Sequence, residues 1–445
     1  MKKHQGAICK LIPRGHIFIV IRWMLLSLLG WLLYCLTRGL VAFISLGAPF
    51  HDWQWYIAVI LFLILILARL LGLLPPSSWI KGGIVLLSIW LVAGYFGFWL
   101  KGKLLPAKAD KIKISYWAGS GIIRAPDRVL NDLHAASGSL YISIGENEFD
   151  GEYTQALVNG LRRLSSHDIM IYLAPRASNY VCVPVLDEWI ANVRKTANLV
   201  QREDLKNVIG IIGDFEKPYH LPMDYWGLYR ETLAPAVKKL ENFKAEMKTN
   251  HPSLNLGVTA FWTLYLDRVD GDQDLAILSR CPVDPPGGWD FINCMTYSSF
   301  FPQSWRAYYM YLVERMINRR YPTRSPSYLI GLVGAAGPGE PLMSFDELLR
   351  DARLSRSLGI REVVVYQITP ALRDFGDDFV QRLDAAVNDA PPDLIVDVPF
   401  ARPVSLLFYG VLVADSILDV RGWMVFLIFV WIALSGFLVY RFHKS

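Results

Sequence analysis

Apolar runs long enough to cross a bilayer lie at both ends of this chain and not between them, and this segregation constrains the fold more than any single motif. The first run, residues 17–36, holds about 20 residues, which at 1.5 Å rise per residue matches the roughly 30 Å hydrocarbon core of a membrane. Arg22 near its start can snorkel to the interface. A secretory signal peptide is the competing reading, but the run exceeds a typical h-region and further spans follow it. A second run lies between about Trp53 and Leu74 and stops at Pro75 and Pro76, and a third fills 84–100. Together these two predict a helical hairpin. A fourth run, 423–440, precedes Arg441 and Lys444. Residues 404–418 are short for a span and contain Asp415, which predicts an interfacial or re-entrant helix. The ends account for a composition of 53% hydrophobic residues and a mean hydropathy of +0.29, higher than a soluble globular chain needs.

Lys2, Lys3, Lys10 and Arg14 at one end, and Arg441 and Lys444 at the other, favour cytoplasmic tails. Four spans then put the middle of the chain on the external or periplasmic face of a plasma or inner membrane. Lys101, Lys103, Lys108 and Lys111 follow the third span and count against that orientation, although long domains translocate largely regardless of charge. The net charge of +5 is small and no Lys/Arg block stands out, so nucleic-acid binding has no support. Five cysteines, Cys9, Cys35, Cys182, Cys281 and Cys294, show neither paired spacing nor a CxxC. They predict no disulfide framework and no zinc site.

Composition changes at 102–110 and again at the proline-containing 388–403, which divides the chain into an N-terminal membrane region (1–105), a central domain (106–400) and a C-terminal membrane region (401–445). In the central domain, short apolar runs at 113–118, 140–145, 169–175, 207–216, 254–262, 291–297, 328–334 and 362–368 read as buried parallel strands. Amphipathic stretches lie between them, one opening with Ser344 and Glu347 at capping-box spacing. Eight strands alternating with helices predict an α/β fold, a (β/α)8 TIM barrel flanked by transmembrane helices, with a doubly wound open sheet as the alternative.

In a barrel of this kind the chemistry sits at the C-terminal strand ends. Asp214 and Glu216 close the fourth run at alternate positions, so both side chains emerge on one face. Two neighbouring carboxyls in a partly buried mouth separate in pKa, leaving one ionised and one able to act as a general acid. The plainer alternative is a strand that ends in Asp-x-Glu merely to start a loop.

The fourth run and the sixth, WDFINCMTYSSF at 289–300, resemble the glycoside hydrolase family 18 barrel, the chitinase and endo-β-N-acetylglucosaminidase group. The sixth run matches that family at Asp290, Phe291, Ile292, Asn293, Met295, Thr296 and Tyr297, and the fourth matches its last two acidic positions at Asp214 and Glu216. Two positions depart from it: Ile212 stands where the family has an earlier Asp, and Ser298 where it has an Asp after Met-Thr-Tyr. The resemblance implies that Glu216 protonates the glycosidic oxygen, Asp214 supports the substrate's 2-acetamido group and Tyr297 holds that group's carbonyl oxygen. It implies a retaining reaction in which the acetamido oxygen is the nucleophile, with no metal or organic cofactor. Substrate contacts are expected from Tyr116, Trp117, Trp262, Asn293, Met295 and Tyr366, the last standing where the family commonly has an aromatic on the barrel floor. Each of these aromatics is also an ordinary packing residue.

Three functions remain open on the sequence. One is a membrane-anchored hydrolase or transglycosylase acting on a glycan that contains N-acetylhexosamine. The second is a catalytically inactive glycan-binding barrel serving a polysaccharide synthesis, export or envelope complex. The third makes the spans primary and the barrel an interaction platform in a membrane-protein complex.

Overall fold

A computed structural model of the chain describes residues 26, 28–41, 56–57, 60–61, 63–64, 102–104, 111–149, 151–178, 180–216, 230–265, 267, 273–283, 288–320, 327–331, 343–389, 396–398, 409–410 and 413. The chain divides into two compact units, one made of Met1–Leu100 with Arg402–Ser445 and the other of Lys101–Ala401.

Of the first unit, residues 28–41 are helical. Tyr409 stacks on Tyr56 with ring centroids 3.9 Å apart and donates its hydroxyl to the Leu36 carbonyl at 2.6 Å. Segments from the two ends of the chain therefore meet within one unit. Among the described residues no helix is long and apolar enough to cross a membrane. The expected spans at 84–100 and 423–440, most of the one at 53–74, the first half of 17–36 and most of the helix expected at 404–418 fall outside the described residues.

The second unit is a closed barrel of eight parallel strands. These are β1 (Lys113–Gly119), β2 (Leu140–Ile144), β3 (Ile171–Pro175), β4 (Val208–Phe215), β5 (Asn255–Phe261), β6 (Phe291–Met295), β7 (Ser327–Ile330) and β8 (Glu362–Tyr366). Each strand pairs with the next, and β8 returns to β1 through Lys113↔Glu362 to Trp117↔Tyr366. Closure excludes the open doubly wound sheet. The connections carry α1 (Asp127–Ala135), α2 (Gly151–Ser166), α3 (Leu186–Arg202), α4 (Arg230–Asn250), α5 (Asp274–Ser279), α6 (Gln303–Arg320) and α7 (Phe345–Ser357), with α8 (Ile368–Phe375) and α9 (Phe379–Asn388) after β8. The expected capping box is present on α7: Ser344 Oγ accepts from the Glu347 amide while the Ser344 amide donates to Glu347 Oε2 at 3.0 Å.

Alternation along each strand separates two cores. Facing the helices, Phe215 packs edge-on against Trp189 of α3 at 5.2 Å and against Trp289 at 5.7 Å. Facing the axis, Trp117, Tyr141, Ala174, Ile212, Met295, Tyr297, Leu329 and Val364 form one buried cluster, with Tyr172, Phe261, Phe291 and Tyr366 against it. All eight strands contribute, so the barrel is filled by side chains.

Its N-terminal end is polar. Lys113 pairs with Glu362 at 3.4 Å, and Glu362 also accepts from Ser115 Oγ at 2.5 Å and Ser327 Oγ at 2.8 Å. Above this plug the Tyr141 and Tyr172 rings stack at 4.7 Å, and Phe291 packs tilted against Tyr172 at 4.6 Å. Their bulk is accommodated by Gly257, where an added Cβ would lie 2.1 Å from the Phe291 ring.

Chain entrance and exit lie together. Ile112 and Asn388 exchange two hydrogen bonds at 2.9 and 3.0 Å, and Gly102–Leu104 pairs antiparallel with Val396–Val398.

Candidate active site

β4 carries Asp214 on its axial face because Phe215, the next residue, is locked outward by two tryptophans, and Glu216, directly after the strand, hydrogen-bonds to Asp214. Its end is held from the side as well: the Asp214 carbonyl accepts from the Val181 amide at 2.8 Å, which ties the strand to the loop after β3. Asp214 is half-buried, and its Oδ1 is wholly buried with no hydrogen-bond partner among the described residues. Burial raises its carboxyl from the ordinary 3.8 to about 6, against the lowering effects of a hydrogen bond with Glu216 and the charge of Arg176. Two adjacent carboxyls therefore share a site in which one of them retains a proton into the weakly acidic range.

Tyr297 belongs to the same group. It is buried, and burial together with the charges of Tyr366, Glu216 and Asp214 pushes its hydroxyl well above the usual tyrosine range. The phenol stays a neutral hydrogen-bond donor at any physiological pH. Tyr366 completes the wall: its ring lies 5.7 Å from Tyr297 and 6.2 Å from Trp117, and burial beside Asp214 raises its hydroxyl to about 12. The peptide bond between Tyr366 and Gln367 is cis. Tyr366 thus stands at the C-terminal end of β8, by the carboxyls, and the floor is built by Tyr141, Tyr172 and Phe291 instead. Trp117 faces the axis and donates from Nε1 to Ser143 Oγ at 2.8 Å.

The sixth-strand motif divides into two sets. Asp290 Oδ2 accepts from the Leu256 amide at 2.9 Å and Thr296 Oγ1 donates to the Leu329 carbonyl at 2.9 Å, so both bind neighbouring strands. Met295 and Tyr297 face the axis. Asn293 is fully buried beside Tyr141 and pairs in register with Thr259; among the described residues neither its side chain nor Thr259 Oγ1 makes a hydrogen bond of good geometry. Across β4 and β5, Thr259 is in register with Asp214, whose Oδ1 is likewise unpartnered.

Two expected substrate contacts do not join this group. Tyr116 lies on the helix-facing side of β1, fully buried, edge-on to Phe379 of α9 at 6.2 Å, because the axial positions of that strand are taken by Ser115 and Trp117. Trp262 follows β5 and is buried edge-on against Tyr309 of α6 at 6.2 Å. Ile212 sits in the axial apolar cluster, and Ser298 donates to Asp351 of α7.

Arg176 was not foreseen as part of the site. It immediately follows the third apolar run, so the rule that polar residues closing such runs mark the mouth would have found it. Among the described residues no group of three or more His, Cys, Asp or Glu side chains could hold a metal ion.

No family model matches the chain, and no curated protein matches it. Among solved structures, it is similar to a GH18 chitinase from Pseudoalteromonas aurantia, at 11% identity over 62% of this chain and 99% of that one, with a TM-score of 0.41. It is also similar to the PgaB (BpsB) glycoside hydrolase domain from Bordetella bronchiseptica, at 10% identity over 63% and 100%, with a TM-score of 0.41. A third is a β-mannanase from Thermomonospora fusca, at 14% identity over 58% and 78%, with a TM-score of 0.35. The barrel itself is established by the chain's own strand pairing.

Proposed function

We propose that the barrel is a retaining glycoside hydrolase or transglycosylase that acts on a glycan containing N-acetylhexosamine. The observation that carries this reading is the convergence of Asp214, Glu216 and Tyr297 on one end of the barrel, with a carboxyl pair that holds a proton into the weakly acidic range. Glu216 gives its proton to the glycosidic oxygen as that bond breaks, and the substrate's acetamido oxygen closes on the anomeric carbon. Asp214 accepts the acetamido N–H and supports the positive charge that develops on the cyclised group. Tyr297, kept neutral by burial, donates to the acetamido oxygen and aligns it. Water then opens the ring, returning its proton to Glu216.

The apolar ends anchor this barrel in a plasma or inner membrane, with the catalytic domain on the external or periplasmic face, as the basic tails favour. A second reading, a glycan-binding barrel without catalysis in a membrane complex, is favoured by Ile212 in the apolar cluster where an acid is absent.

Incubation of the detergent-purified full chain with chitin and other N-acetylhexosamine oligosaccharides, followed by mass spectrometry of the fragments, tests the choice. Cleavage that falls by about 10²- to 10⁴-fold in Glu216→Gln, with the fold intact, is the expected result. Binding without cleavage by the wild-type chain supports the second reading.

A further inference from the structure

Arg176 is a cation with a fixed base and a head that is unpaired among the described residues. Its amide donates to the Ile144 carbonyl at the end of β2 at 2.9 Å, and its carbonyl accepts from Asn192 Nδ2 of α3 at 2.8 Å. Its side chain is exposed, and its guanidinium makes no hydrogen bond or ion pair among the described residues. Several arginines of the barrel are engaged, Arg163 with Asp127, Arg194 with Glu246, Arg306 with Glu347, Arg350 with Asp351 and Arg353 with the Ala386 carbonyl; what sets Arg176 apart is its place directly after β3, at the C-terminal end of the barrel and next to the strand that carries Asp214. The charge of Arg176 nevertheless reaches the site, since it lowers the pKa of both Asp214 and Tyr366.

A guanidinium whose only task was to neutralise Asp214 would close to ion-pair distance, and this one does not. An unpaired planar fork beside the reacting group is instead suited to a planar or tetrahedral oxyanion, which it can bind in two-point fashion. We propose that Arg176 selects an acidic glycan, binding a carboxylate or phosphate carried by the sugar next to the N-acetylhexosamine at the mouth. This rests on the glycan reading of the same site and narrows its substrate class to anionic polymers.

The test compares the full chain with Arg176→Met, which keeps the length of the apolar stem, and Arg176→Lys, which keeps the charge but loses the fork. Four oligosaccharide probes serve: neutral chitin, hyaluronan, the N-acetylglucosamine–N-acetylmuramic acid disaccharide repeat and poly(N-acetylglucosamine 1-phosphate). Binding is read by calorimetry and cleavage by mass spectrometry. The wild-type chain is expected to bind one or more of the acidic probes in preference to chitin, and the favoured probe tells carboxylate from phosphate. Arg176→Met should lose about 10- to 100-fold in affinity for that probe and little for chitin, with Arg176→Lys between them. The preference should weaken as salt rises. Equal losses on neutral and acidic probes in Arg176→Met, or a wild-type preference for chitin, would overturn the inference, as would failure of every probe to bind. An Arg176-dependent acidic preference without any cleavage would uphold it while removing the hydrolase reading.

Discussion

Ser298 donates its hydroxyl to Oδ2 of Asp351 at 2.5 Å, with both side chains buried. A hydroxyl on β6's exit turn and a carboxyl from α7 thus stand together; in the motif that this run resembles, the position of Ser298 is an acid. Asp351 is also bound by Arg350 through Oδ1, and Arg306 caps the same turn through the carbonyls of Ser299 and Phe301. The turn that positions Tyr297 and Phe300 is thereby fastened to two helices.

Asp351→Ala is expected to lower stability by about 2–4 kcal/mol, because it leaves a buried hydroxyl and an arginine without their partner. Asp351→Asn should cost less, since the amide can still accept from Ser298. Thermal unfolding of the detergent-solubilised chain measures both, and equal stability of wild type and Asp351→Ala would refute the role given to this pair.

Placing at position 212 the acid of the motif that this strand resembles is expected to fail. Ile212 is fully buried among Trp117, Tyr141, Met295 and Tyr297, so Ile212→Asp puts an unsolvated carboxyl into an apolar cluster. The loss should be about 3 kcal/mol or more, and the introduced group should remain protonated at neutral pH. Unfolding curves at pH 5 and pH 8 check this, with the larger loss at pH 8.

Asp214 gives the fold a pH dependence of definite sign. Its carboxyl ionises near 3.8 when unfolded and near 6 when folded, so below 3.8 both states are protonated and it costs nothing. Between those values only the unfolded state ionises, and native stability falls as pH rises; above about 6 the full cost is present. Asp214→Asn should therefore be the more stable chain at pH 7 to 8 by about 1–2 kcal/mol, allowing for partial solvent screening. The advantage should vanish near pH 4. A pH-independent difference between the two proteins would contradict the assigned burial.

Gly257 has no room to grow. A Cβ there would meet ring carbons of Phe291 at 2.1, 2.3 and 2.6 Å, and that ring is wedged against Tyr172. Gly257→Ala is expected to cost about 1–3 kcal/mol, read as a fall in the unfolding midpoint without loss of helix content by circular dichroism.

The eight strands were legible because parallel strands buried on both faces appear as uninterrupted apolar runs, and each run expected from the sequence overlaps a strand. The Asp-x-Glu spacing was legible for a similar reason: alternation is a property of the backbone and survives any packing. Tyr116 and Trp262 were assigned to the substrate by residue type. Which side of the barrel wall they face depends on register with β8 and on α6 and α9, and that information is not local. Arg176 escaped because a single exposed arginine after a proline looks like any loop residue until its neighbours are known. Asp351 lies more than fifty residues from Ser298, and nothing in the spacing of either announces the pair.

The antiparallel pairing of Gly102–Leu104 with Val396–Val398 gives the barrel an unusual topological status. The entire (β/α)8 domain is the loop of a hairpin whose arms are those two short segments. A loop whose ends are already stapled side by side can change in length or content without forcing its host to separate its own flanking segments. The barrel is in that sense a cassette, closed at its own base by the two segments through which the chain enters and leaves it.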